Sequence, residues 1–146
     1  MKGIEMRLQN IVPVLDVRDV DASIEFYKSA LGFIENDKVT WGGHTEWALL
    51  RSGQVQIMLC ASQEMPSDDE IVQTDNVFYI FIEDMDALEM QLNKAKISSK
   101  DRGVDSGQSR DFYVRDPDGY VLWFSPRPLG YNIDKSIVQD TSMMYA

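Results

Sequence analysis

The first half of the chain opens with an apolar run that gives way to a helical spacing of apolar residues. The run at residues 11–17, IVPVLDV, predicts a strand from about Ile11 to Val17. A helix is predicted from about Asp21 to Leu31, because Ile24, Tyr27 and Leu31 recur at helical intervals. Gly32 follows, where a helix often ends in a left-handed residue. A strand followed by a helix is therefore expected at this end of the chain.

The same order returns in the second half. A strand is predicted from about Val77 to Ile82, and the helical face after it carries Met85, Leu88, Leu92 and Ala95. When the halves are superposed, a constant offset of 84 − 19 = 65 residues relates the matching positions. These are Asp19 and Asp84, Asp21 and Asp86, Ala22 and Ala87, and Ala30 and Ala95. The pattern predicts an internal duplication, with Asp19 or Asp21 capping the first helix.

Each helix is followed by further strand-like segments. They are Phe33–Val39, Thr45–Leu50 and Val55–Cys60 in the first half, and Phe112–Arg115 and Tyr120–Ser125 in the second. A third strand of the second half has to come from the polar run at residues 98–108, whose sequence favours a strand only weakly. Asp116, Pro117, Asp118 and Gly119 have the residue types of a type I turn, so the last two strands should form a hairpin.

Composition indicates one soluble domain of 146 residues, with 44% hydrophobic residues and 26% charged residues. We expect the domain to span residues 1–128, with modules at about 10–61 and 76–126, and the tail at 129–146 has no interpretable period. The net charge of −10 argues against nucleic acid or a membrane as a partner. A cytoplasmic location is expected, since no segment has the pattern of a signal peptide or membrane helix and Cys60 is the only cysteine.

Two segments carry a resemblance to a known family. PVLDVRDVDASIEFYKSALGF opens the first module, FYVRDPDGYVLWF closes the second, and the chain over about residues 10–126 resembles the vicinal oxygen chelate superfamily. That group includes glyoxalase I, the bleomycin resistance proteins and the extradiol dioxygenases. The resemblance implies an α+β fold in which two tandem βαβββ modules form a curled mixed sheet around a cavity, with helices outside. It also implies a homodimer in which both chains contribute to each site.

Strand alternation combined with this resemblance assigns one face of each strand to the cavity. The inward sets are Val12, Val14 and Asp16; Gln56, Met58 and Cys60; Val77, Tyr79 and Phe81; and Val121, Trp123 and Ser125. Trp41, Trp47 and Tyr113 lie on strands whose facing is open. The predicted ligand-binding residues are Val14, Asp16, Trp47, Gln56, Met58, Tyr79, Phe81, Tyr113 and Trp123. For any one aromatic residue, simple filling of a core is an equally good interpretation.

The resemblance also locates four positions where metal-using members carry their ligands, and here these are Val12, Met58, Val77 and Trp123. None offers a ligand suited to a hard divalent ion, so we expect no metal, no cofactor and no catalytic residue. The only histidine, His44, lies in the glycine-flanked turn WGGHTEW and is interpreted as a surface residue. Cys60 is interpreted as a small buried apolar residue.

Three hypotheses for function follow. The first is a metal-free small-molecule binding protein, similar to the bleomycin resistance proteins, that sequesters an aromatic and cationic compound such as a drug. The second is a lyase, isomerase or dioxygenase of the same superfamily, which either holds a metal through unrecognised ligands such as Asp16, His44 and Glu46 or works without metal. The third is a regulatory or partner-binding module that makes its contacts through the tail from Leu129 to Ala146.

Overall fold

The chain forms two similar halves, each with one helix and one four-stranded sheet. A computed structural model describes residues 3–62, 76–101 and 111–126. The first half contains β1 (Val14–Val17), α1 (Val20–Leu31), β2 (Ile34–Trp41), β3 (His44–Ser52) and β4 (Val55–Ala61). The second contains β5 (Val77–Phe81), α2 (Met85–Lys94), β6 (Lys100–Asp101), β7 (Phe112–Arg115) and β8 (Val121–Ser125).

The strand order confirms the predicted pair of βαβββ modules. Sheet one has the order β1-β4-β3-β2, and sheet two has the equivalent order β5-β8-β7-β6. In each sheet the first strand is parallel to the last, and the other pairs are antiparallel. The strand that the sequence indicated only weakly, β6, lies in the polar run and covers two residues. The boundary predicted at residue 128 and the tail after it lie outside the described residues.

The duplication holds at the level of individual hydrogen bonds. Asp19 caps α1 by accepting from the backbone N–H of Ala22 at 3.1 Å, and Asp84 caps α2 by accepting from that of Ala87 at 2.9 Å. Both the caps and their donors are 65 residues apart, as 84 − 19 and 87 − 22. Gly32 ends α1 with φ 69°, the left-handed conformation expected there.

Strand register repeats with the same offset. Val14 lies opposite Met58 in sheet one, and Tyr79 lies opposite Trp123 in sheet two, so both members of the pair move by 65 positions. The next pairs along the strands follow the same rule, because Leu15–Leu59 corresponds to Ile80–Phe124 and Asp16–Cys60 to Phe81–Ser125. The two sheets therefore present equivalent positions on equivalent faces.

One face of each sheet packs into a common core. Leu15 and Leu59 of sheet one and Leu122 and Phe124 of sheet two are at most 2% exposed and belong to one buried cluster. Tyr27, Ile24 and Ala30 of α1 and Leu88 and Leu92 of α2 complete it. Since alternate strand residues point to opposite faces, the other face of each sheet must lie on the outside of this core.

The turn between β7 and β8 connects the second half to the first through hydrogen bonds. Tyr27 Oη donates to Asp116 Oδ2 at 2.8 Å, and the backbone N–H and Nε of Arg18 donate to Asp118 Oδ1 at 3.0 and 3.1 Å. The backbone N–H of Gly119 donates to the carbonyl of Asp116 at 3.0 Å, which confirms the predicted turn. Asp116 and Asp118 are 5% and 4% exposed, so both buried carboxylates are satisfied by partners.

One predicted boundary is wrong. The first strand begins at Val14 and not at Ile11, because Pro13 has no N–H for the ladder and only its carbonyl pairs, accepting from the backbone N–H of Met58 at 2.9 Å. The other predicted bounds agree to within two residues. Neither described helix has the length and apolar character of a membrane-spanning segment.

Candidate functional site

The outer face of sheet one carries most of the residues predicted in the first half. Val14 and Asp16 on β1 lie beside Met58 and Cys60 on β4, and Trp47 on β3 lies opposite Cys60. Val14 is 56% exposed, whereas Leu15 and Val17 on the opposite face are buried. Gln56, Met58 and Cys60 alternate in the same way with buried Ile57 and Leu59. The predicted facing of β1 and β4 is therefore confirmed, and that of Trp47 is settled by its pairing.

The outer face of sheet two is aromatic. Tyr79 on β5 and Tyr113 on β7 both lie opposite Trp123 on β8. The rings of Tyr79 and Trp123 meet edge to face, with centroids 5.3 Å apart and an interplanar angle of 72°. Trp123 Nε1 donates to Asp111 Oδ2 at 3.0 Å, which fixes the orientation of the indole. Phe81, 43% exposed, extends the surface along β5.

The nine predicted ligand-binding residues thus form two groups. Half-site one consists of Val14, Asp16, Trp47, Gln56 and Met58, and half-site two consists of Tyr79, Phe81, Tyr113 and Trp123. The shared core lies behind both groups, so one chain does not close one half-site over the other. Sequence alternation identified the faces correctly, but it contained no information about how the two faces are placed relative to each other.

Three residues of the outer faces differ from their sequence interpretation. Val121 and Ser125 are predicted to face the cavity together with Trp123, but they are 8% and 2% exposed, so neither is available to a ligand. Cys60, interpreted as buried, is half-buried, because its side chain points to the outer face of sheet one. Partial burial raises the pKa of the Cys60 thiol, and the nearby negative charge of Asp16 raises it further. The thiolate is therefore disfavoured near neutral pH, and Cys60 is poorly suited to act as a nucleophile.

Asp111 and Arg18 are the residues that sequence reasoning missed. Asp111 precedes β7 directly and reaches Trp123 across the hairpin, and Arg18 reaches Asp118 over 100 positions. Neither residue belongs to a periodic pattern or a motif that would have marked it. Only the strand register and the fold bring these partners together.

The donor groups of the described residues do not gather into a site for a divalent metal. Within residues 3–62, 76–101 and 111–126, no three His, Cys, Asp or Glu side chains form a group that could hold a metal ion. His44 is exposed and lies at the start of β3, as predicted, and the alternative ligand set of Asp16, His44 and Glu46 does not come together. The four family ligand positions, Val12, Met58, Val77 and Trp123, carry no nitrogen or oxygen donor able to bind such an ion.

The fold and the site define the class of protein. The sequence model of the Glyoxalase/Bleomycin resistance protein/Dioxygenase superfamily matches residues 9–124, and the chain belongs to this superfamily. The vicinal oxygen chelate resemblance is thereby confirmed. No curated protein sequence matches the chain at a significant level.

Solved structures add three likenesses. A bleomycin-binding protein complexed with bleomycin is 17% identical, with a TM-score of 0.65 over 83% of this chain and 100% of that one. The fosfomycin resistance protein FosX from Listeria monocytogenes, complexed with Mn(II) and sulfate, is 16% identical, with a TM-score of 0.65 over 90% and 99%. A virulence protein from Salmonella typhimurium is 26% identical, with a TM-score of 0.55 over 82% and 98%.

Proposed function

We propose that this protein binds a planar aromatic and cationic small molecule, such as a drug, and sequesters it without metal-dependent chemistry. The observation that carries the proposal is the fixed orientation of the Trp123 indole. Its ring contacts Tyr79 and its N–H donates to Asp111. The family resemblance places a metal ligand at this position. A fixed aromatic wall offers a large contact area, and little side-chain entropy is lost when a ring stacks on it.

Charge favours a cation as the ligand. Asp16 is exposed on half-site one, beside the apolar side chains of Val14 and Met58. The chain as a whole carries a formal charge of −10, which raises the local concentration of cations around it. Half-site two supplies the π-faces of Tyr79 and Trp123, which attract a cationic ring.

A complete site is expected to need two copies of the chain. The outer faces of both sheets leave apolar side chains exposed, with Val14 of half-site one at 56%, Phe81 of half-site two at 43%, and Val77 on the same strand as Phe81 at 48%. In our proposal, half-site one of one copy faces half-site two of its partner, so that a homodimer holds two equivalent sites. The dimer buries these side chains and closes the pocket around the ligand.

The likeness to known structures supports a ligand-binding role at the level of fold. The solved bleomycin-binding protein holds bleomycin, and its overall fold resembles this chain at 17% identity. Antibiotic resistance by sequestration is therefore the leading form of the proposal, with the ligand in the cytoplasm. The FosX structure with Mn(II) favours the second candidate, a metal-dependent enzyme of the same superfamily.

Calorimetry separates the two candidates. The protein, purified without chelator, is analysed for bound metal and titrated first with Mn²⁺, Fe²⁺, Ni²⁺ and Zn²⁺, and then with bleomycin and the planar cationic dye proflavine. We expect no stoichiometric metal, no heat with the metal ions, and saturable binding of at least one of the two organic cations. One metal ion per chain, bound at sub-micromolar affinity, would refute the proposal and establish the enzyme hypothesis.

A matched pair of variants locates the site. Trp123→Ala should weaken binding of the organic cation by about fivefold or more, since stacking on an aromatic side chain contributes on the order of 1–3 kcal/mol. Trp41→Ala serves as the control, because Trp41 is 78% exposed at the tip of the β2–β3 hairpin and belongs to neither half-site. Equal losses in both variants would show that binding does not use half-site two.

A further inference from the structure

A cavity lies between the two halves of the chain, lined mainly by residues of the core faces of both sheets, and Gln56 and Tyr79 of the half-sites also contribute to its lining. It has a volume of about 280 Å³ and is formed where the core faces of the two sheets diverge. Each half contributes three of the side chains that define it: Leu15, Phe33 and Ile57 from the first, and Phe78, Ile80 and Leu122 from the second. All six are apolar, and four of them are at most 8% exposed.

The cavity is open to solvent at one end. Ile11 and Val55 contribute to its lining and are 88% and 42% exposed, so they mark the entrance. A ligand can therefore enter without unfolding of the core. The bound molecule would contact both halves at once and would stabilise their packing against each other.

The lining specifies the chemistry of the ligand. Of the described residues, none that lines the cavity carries a charge, and two of the polar side chains in the lining already have hydrogen-bond partners. Tyr27 Oη donates to Asp116 at 2.8 Å, and Gln56 Oε1 accepts from Asn10 Nδ2 at 2.9 Å near the entrance. Water would find few partners in such a space, whereas an apolar molecule loses nothing by entering it.

Volume sets the size of the ligand. An apolar cavity of about 150 Å³ in another protein stays dry and binds benzene. The cavity here is nearly twice that volume and accommodates two or three rings or a short hydrocarbon chain. We propose that this cavity is a second binding site, specific for an uncharged aromatic or aliphatic molecule of two or three rings in size. It shares Gln56 and Tyr79 with the half-sites, but its ligand differs in charge from the cation proposed for them.

The test uses the full chain and the uncharged dye N-phenylnaphthylamine, whose emission rises in apolar surroundings. We expect saturable binding of one dye per chain and an increase in melting temperature at saturation. Val55→Trp, which narrows the entrance, and Ile80→Phe, which fills the interior, should each raise the dye Kd by about tenfold or more. The two variants act at different depths, so a folding defect in one leaves the other informative.

Two controls complete the design. Val39→Trp introduces the same side chain at a valine that is 51% exposed and does not line the cavity, and the dye Kd should not change. Trp123 does not line the cavity, so Trp123→Ala should change the dye Kd much less than Val55→Trp and Ile80→Phe do. The proposal is overturned if the wild-type chain binds no dye. It is equally overturned if Trp123→Ala abolishes dye binding while Val55→Trp and Ile80→Phe do not.

Discussion

At the scale of single residues, Asp116 is the most consequential polar group of the core. Its carboxylate accepts from the Tyr27 hydroxyl and from the backbone N–H groups of Asp118 and Tyr120, all within 2.9 Å. Burial nevertheless raises the pKa of Asp116 to about 6, although these hydrogen bonds act in the opposite direction. The same burial, together with the charge of Asp116, raises the pKa of Tyr27, so the phenol stays protonated and acts as a donor.

This pKa predicts how stability depends on pH. A carboxyl group with a higher pKa in the folded state than in the unfolded state binds protons more tightly when folded, so its contribution to stability is lost as pH rises through about 6. Between pH 4 and pH 7 the wild type should lose up to about 3 kcal/mol of unfolding free energy relative to Asp116→Asn, which keeps the shape but does not titrate. Urea unfolding of both proteins across this range measures the difference. Parallel curves for the two proteins would show that Asp116 ionises normally.

Asp111 is expected to act as a positioning residue for Trp123. Asp111→Ala removes the acceptor of the indole N–H, and ligand affinity should fall by about fivefold, corresponding to about 1 kcal/mol for one hydrogen bond. Asp111→Asn keeps a side-chain oxygen and should restore most of the affinity. Calorimetry gives the affinities, and the anisotropy of tryptophan emission reports the freedom of the indole. Equal losses in both variants would indicate a role for the carboxylate charge.

At the scale of elements, the repeated caps make a matched experiment possible. Asp19→Ala and Asp84→Ala each remove the acceptor for an N–H in the first helical turn, and each should cost about 1 kcal/mol of unfolding free energy. Glu25→Ala, an exposed change within α1, should stay within about 0.5 kcal/mol of the wild type. Chemical unfolding measures all three variants. If Asp19→Ala lowers the free energy of unfolding and Asp84→Ala does not, the two caps have the same geometry but contribute differently to stability.

Elements were also the level at which sequence reasoning worked best. The helices, the turn at residues 116–119 and the facing of β1 and β4 follow from period, turn chemistry and alternation, which are local properties. The start of the first strand and the short strand β6 were harder to predict. The first strand begins at Val14 and not at the predicted Ile11, because Pro13 interrupts an otherwise good strand pattern. Strand β6 has only two residues, and it forms by pairing with β7 and not because its own residues favour a strand.

At the scale of the whole molecule, local sequence patterns do not predict how the two sheets are placed relative to each other. Seven of the nine predicted ligand-binding residues could be assigned to faces, all except Trp47 and Tyr113, but the separation of the nine into two half-sites depends on which faces share the core. That choice is made by contacts between distant positions, such as Arg18 with Asp118 and Tyr27 with Asp116. No pairing of this kind can be read from the period of a single strand or helix.

Mixing two defective variants tests the proposed shared site. Trp47→Ala disables half-site one, and Trp123→Ala disables half-site two, so each homodimer should bind the organic cation weakly. In the mixed dimer one of the two sites has both half-sites intact, and after statistical exchange about a quarter of all sites should recover wild-type affinity. Calorimetry of the refolded mixture measures this fraction. No recovery, in a mixture shown to exchange subunits, would place a complete site within one chain.

Because the two sheets share one register, the two walls of the proposed pocket present equivalent positions, related by an approximate local twofold axis. The side chains at those equivalent positions differ. Asp16 corresponds by the 65-residue offset to Phe81, Met58 to Trp123, and Val14 to Tyr79. The wall from sheet one therefore carries one acidic group among aliphatic side chains, with Trp47 as its aromatic member, while the wall from sheet two is aromatic throughout. In the proposed pocket we expect a ligand to bind in one orientation, with its ring against Trp123 and its positive end towards Asp16. Such a pocket would select elongated molecules whose two ends differ in charge.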